Sequence, residues 1–89
     1  GAYMSERFEH SLRGVPGFEG VRGRGLMLGV VLDRPAHSCL MLGLKHGVLF
    51  SVTAGNVIRI VPSLNISKRE ADELVDRVTA VIKEFTAAG

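Results

Sequence analysis

Apolar positions recur at helical spacing at both ends of the chain, while the middle holds apolar runs that are short and rich in β-branched residues. Met4, Phe8 and Leu12 are separated by Ser5, Glu6, Arg7 and Glu9, so Ala2 to Leu12 reads as an amphipathic helix. Gly14-Val15-Pro16-Gly17 then breaks it and turns the chain. At the other end, Ser67-Lys68-Arg69-Glu70 has the form of a capping box, in which serine and glutamate satisfy each other's backbone N–H groups. Ala71, Leu74, Val75, Val78, Val81, Ile82 and Phe85 follow as one stripe of a helix about five turns long. Asp72, Glu73, Asp76, Arg77 and Lys83 take the opposite side, so this stripe is core packing.

The central pattern is that of strands. Phe18 to Asp33 is a strand region split by Gly23-Arg24-Gly25, and the unbroken run Leu26 to Leu32 predicts a central strand covered on both faces. Gly25 and Gly29 within it mark a bulge or a close backbone approach. Pro35 to His46 reads as a short helix with proline near its first turn and Gly47 as its stop. Gly47 to Thr53 and Val57 to Val61 are two further strands, close enough in sequence to form a hairpin through Gly55-Asn56, residues that tolerate positive φ. Pro62 ends the last strand because it has no N–H for the ladder. This order predicts an α+β fold: a small, mostly antiparallel sheet with helices packed on one face.

One cation interrupts the β-branched run Val57-Ile58-Arg59-Ile60-Val61. A guanidinium inside a doubly buried strand costs several kcal/mol of desolvation unless an anion or dipole meets it. Arg59 therefore either lies on an edge, pairs with a structural carboxylate, or waits for an anionic ligand. Other chemistry is thin. The Gly23-x-Gly25 pair precedes a strand and presents no helix N-terminus, so a phosphate loop is excluded. Arg22 and Arg24 suit an edge or the docking of a neighbouring domain. An RNA-binding role for them lacks an aromatic platform, since the one tyrosine, Tyr3, is distant in sequence. His10, His37 and His46 have no metal-ligand spacing, and no metal site is predicted. His46 suits the C-terminal end of its helix.

Composition adds three points. The single cysteine, Cys39, cannot form an internal disulfide and reads as a small buried hydrophobe, with a reducing cytoplasm as the default compartment. Net charge is only +2 with dispersed basic residues, so the pI of about 9.1 reflects few acids, and nucleic acid is not an expected partner. No apolar stretch is long enough to cross a bilayer, and the start does not resemble a signal peptide. Against this, 46% hydrophobic residues and a mean hydropathy of +0.24 are high for 89 residues, whose core is thin. Part of that apolar surface is expected to cover a neighbouring domain, which makes the chain a fragment of something larger.

The segments V-I-R-I-V-P-S-L-N-I-S and V-R-G-R-G-L-M-L-G-V-V-L, in this order, resemble the carboxy-terminal small domain of class III, pyridoxal-phosphate-dependent aminotransferases, nearest to their acetylornithine aminotransferase branch. The resemblance covers nearly the whole chain. It implies that residues 1–89 form the C-terminal small domain of a fold-type I pyridoxal-phosphate enzyme whose large, cofactor-binding domain lies outside this sequence. It implies that Arg59, on the arginine of the family's R-x-x-P segment, binds the substrate α-carboxylate. The implied reaction is transamination between N-acetylornithine and 2-oxoglutarate, in arginine biosynthesis, by a cytoplasmic homodimer. Lys45, Lys68 and Lys83 do not match the context of the family's cofactor lysine, so the cofactor falls to the large domain and the 89 residues alone are expected to be inactive. The alternative from another class is a free-standing interaction or small-carboxylate-binding module, in which Arg59 binds an anion or pairs internally.

Overall fold

The computed structural model describes residues 2–24, 27–62 and 65–87. Helix α1 (Ala2–Leu12) is followed by strands β1 (Phe18–Arg24) and β2 (Met27–Leu32), helix α2 (Cys39–Lys45), strands β3 (Ser51–Thr53) and β4 (Val57–Ile60), and helix α3 (Lys68–Ala87). The strands form one sheet in the order β1-β2-β4-β3, each neighbouring pair antiparallel. The fold is α+β.

Both amphipathic patterns bury the stripes expected of them. Met4, Phe8 and Leu12 of α1 meet Ala71, Val75, Val78, Val81 and Ile82 of α3 in one core with Leu28, Val30, Leu32, Ile58 and Ile60 of the sheet. The helices thus cover one face of the sheet. The start of α3 is capped in both directions: the Ser67 N–H donates to Glu70 Oε1, and the Glu70 N–H donates to Ser67 Oγ, each at 3.1 Å. Across the top of the helix pair, Asp72 accepts from the Tyr3 hydroxyl and, at 3.2 Å, from Arg7 Nε. One buried position of α3 breaks the apolar pattern: Thr79 lies in the core, its hydroxyl without a hydrogen-bond partner among the described residues.

Helix α2 begins later than its proline suggests. Ser38 is its N-cap and Pro35 lies in the preceding loop. Its end follows the sequence closely. Gly47 has φ +72, its N–H donates to Leu44 O, and the Val48 N–H reaches Gly43 O at 2.9 Å. That is a Schellman stop, which L side chains accommodate poorly. Glu84 of α3 ties α2 down, accepting from Lys45 Nζ at 3.1 Å and lying 3.0 Å from His46 Nε2. Cys39 is fully buried.

Four expectations for the strands are corrected. β3 is a three-residue edge strand, because Gly47 and Val48 close α2 while Val48 and Phe50 pack toward the core before pairing begins. The turn into β4 places positive φ at Ala54 and Gly55, while Asn56 uses its side chain to donate to Leu32 O at 2.9 Å, anchoring β4 to the end of β2. Gly29 lies in regular register, and the irregularity falls between Phe18 and Gly20. Gly25 is outside the described residues. The largest correction concerns β4. Ile58 and Ile60 are buried, but Arg59 is exposed and Val61 beyond it is 64% exposed, so this strand is covered on one face only.

Candidate functional site

Directly opposed residues of an antiparallel ladder project to the same side. Arg22 opposes Gly29, Gly29 opposes Arg59, and Arg59 opposes Ser51, giving one row across all four strands. The flanking positions Leu28, Val30, Ile58 and Ile60 point into the helix layer. Period-two alternation therefore puts the row Arg22–Gly29–Arg59–Ser51 on the face without helices. β2 remains buried there even so, since Gly29 has no side chain to expose and Val31 is screened by the strands on either side.

On this face lies a depression of about 260 Å³, with Gly29 in its floor and Arg22, Arg59, Met27, Thr53 and Val57 around it. Neither Arg59 nor Arg22 has an ion-pair or hydrogen-bond partner among the described residues. The acids that are paired serve elsewhere: Asp72 and Asp76 hold Arg7, Asp33 holds Arg34, and Glu84 holds Lys45 and His46. Of the two internal explanations for a cation in β4, a structural carboxylate partner is thereby absent among the described residues. What remains is a planar fork of N–H donors on an open sheet face, able to take a carboxylate through two parallel hydrogen bonds.

The other groups named from sequence do not converge here. Lys45 is bonded to Glu84, Lys68 lies 5.4 Å from the Tyr3 ring centre, and Lys83 is exposed on α3, all on the helix side of the sheet. No lysine lines the depression beside Arg59. Burial pushes the Cys39 thiol up to about 11, which removes it as a nucleophile. Among the described residues no three His, Cys, Asp or Glu side chains cluster as metal ligands, and no helix is long and apolar enough to cross a membrane. Arg24 sits in β1, opposite Met27. Gly29 is legible in the sequence as a glycine inside an apolar strand, a mark of a bulge or a close approach; the bulge is absent there, and which arginines flank it is decided by strand pairing.

Residues 1–82 match the aminotransferase class-III family. The acetylornithine aminotransferase of Corynebacterium efficiens is 46% identical over 87 residues, covering 97% of this chain and 22% of that protein. The acetylornithine aminotransferase 1 of Bordetella bronchiseptica is 42% identical, covering 98% and 22%. The crystal structure of N-acetylornithine aminotransferase from Stenotrophomonas maltophilia superposes with a TM-score of 0.83 at 37% identity, over 99% of this chain and 25% of that one. The ornithine δ-aminotransferase of Plasmodium falciparum gives a TM-score of 0.90 at 20% identity over 98% and 23%, a likeness in fold. The chain spans 22% of the length of the two curated relatives.

Proposed function

This chain belongs to the class-III aminotransferases, and from that premise we propose that residues 1–89 are the carboxy-terminal small domain of a pyridoxal-phosphate-dependent enzyme that transaminates N-acetylornithine with 2-oxoglutarate. The cofactor supplies the electron sink for exchanging an amino for an oxo group, and the large domain of the full-length chain holds it. This domain positions the substrate. The observation that carries the proposal is Arg59: a guanidinium on the uncovered sheet face, beside a depression, with no carboxylate partner among the described residues.

Substrate chemistry refines its role. In N-acetylornithine the α-nitrogen is acylated, so the nitrogen that leaves is the one at the far end of the side chain. A carboxylate next to the reacting carbon occurs in glutamate and 2-oxoglutarate, not in that donor. Arg59 held close to the reacting carbon therefore serves the glutamate and 2-oxoglutarate half of the ping-pong cycle, fixing the Cα–H bond relative to the cofactor plane. The 89 residues alone are inactive. Full activity needs the large domain and a cytoplasmic homodimer. The test is steady-state kinetics of Arg59→Ala in the full-length enzyme: a selective rise in KM for 2-oxoglutarate is expected, and unchanged turnover at low 2-oxoglutarate refutes the clamp.

A further inference from the structure

The described glycines with positive φ, Gly47 and Gly55 among them, answer to backbone conformation. Gly23 and Gly43 answer to packing, since a Cβ would come within 2.9 Å of Leu28 Cδ2 in the first case and 2.8 Å of Phe50 Cε2 in the second. Gly29 answers to packing as well, but its close neighbour is Val57, on the open face of the sheet. Its φ is not in the left-handed region, so its backbone would admit any residue, and it lies in the middle of a central strand, where a missing side chain weakens the sheet. A Cβ added there would project onto the open face, 2.9 Å from Val57 Cγ1 and 3.9 Å from Arg22 O. Val57 sits two residues before Arg59 on the same face of β4 and lines the same depression.

We propose that Gly29 is a positioning residue for the Arg59 clamp: its absent side chain keeps the β2 backbone bare between Arg22 and Arg59, so that the guanidinium and the carboxylate it holds lie flat against the sheet. Any larger residue pushes Val57 toward Arg59 and lifts the bound carboxylate off the floor. Misplacement of about an ångström at a positioning group can cost on the order of a hundredfold in rate. This inference rests on the reading of Arg59 given above.

The test uses the full-length, cofactor-loaded enzyme with Gly29→Ala, Val57→Ala, the double variant Gly29→Ala/Val57→Ala, and Arg59→Ala in parallel. Gly29→Ala is expected to raise KM for 2-oxoglutarate roughly tenfold or more, leaving KM for N-acetylornithine unchanged. The double variant, which removes the obstructing Cγ1, is expected to recover most of that loss. A merely structural glycine would lower the melting temperature and move both KM values together, or neither, and either result overturns the proposal. Should Gly29→Ala not fold, the double variant carries the same comparison against Val57→Ala. If Arg59→Ala is silent, the clamp itself falls. If Arg59→Ala is impaired and Gly29→Ala is not, only the role of Gly29 falls.

Discussion

Arg59 stands directly opposite Gly29 across the β2–β4 ladder, so the one charged side chain of β4 faces the one residue of β2 that has no side chain. The pairing leaves the guanidinium exposed and unpartnered among the described residues, with bare backbone beside it. Arg7 and Arg34, by contrast, each have a carboxylate partner within the domain.

That contrast yields a paired expectation for Arg59→Ala. Removing a side chain with no partner in its own domain should leave the melting behaviour of the chain within about 0.5 kcal/mol. In the full-length enzyme the same change should cost about 2–5 kcal/mol of binding for 2-oxoglutarate, the range for orphaning a desolvated carboxylate. Arg59→Lys should recover only part of it, because an ammonium cannot form the two parallel bonds. Calorimetric melting and initial-rate kinetics check the two halves.

The capping box is the second target. Ser67→Ala removes the acceptor for the Glu70 N–H and should destabilise the fold by about 0.5–2 kcal/mol in urea unfolding. Glu70→Gln keeps an acceptor for the Ser67 N–H and should cost less.

Gly47→Ala should destabilise by about 1–2 kcal/mol, the cost of a left-handed conformation for an L side chain. Its Cβ would also sit 2.7 Å from Arg77 Nη1, the group that donates to Gly47 O at 3.0 Å. A matched drop in the denaturation midpoint with unchanged m-value is the expected signature.

Acid should loosen the helix layer before the sheet. Hydrogen bonds from His46 and Lys45 hold the Glu84 carboxyl below its ordinary value of 4.5, and the Tyr3 hydroxyl, aided by Arg7, holds Asp72 below 3.8. A carboxyl depressed in the folded state stabilises it above the unfolded value and loses that contribution as pH falls through the folded one. Stability should therefore be level near neutrality and decline below about pH 4.5. Glu84→Gln and Asp72→Asn should each flatten the decline in melts run from pH 6 to pH 3.

Cys39 offers a check on the core. Burial and a thiol raised to about 11 predict alkylation at pH 8 that proceeds only through unfolding. Mass spectrometry of iodoacetamide-treated protein should show Cys39 unmodified under native conditions and modified in urea.

What the sequence determined by itself is everything encoded by local periodicity and local hydrogen bonding. The stripes of α1 and α3, the Ser67–Glu70 box and the Gly47 stop are legible because their partners lie within a few residues, and the cation of β4 is legible because it interrupts an apolar run. Tertiary structure alone decided which face of β4 stays uncovered, since Val57, Ile58, Ile60 and Val61 are equally β-branched on both sides and hide the alternation. It also decided that Gly29 falls between Arg22 and Arg59. Strand pairing joins residues that are distant in the chain, and no local pattern of apolar residues records which of them will meet.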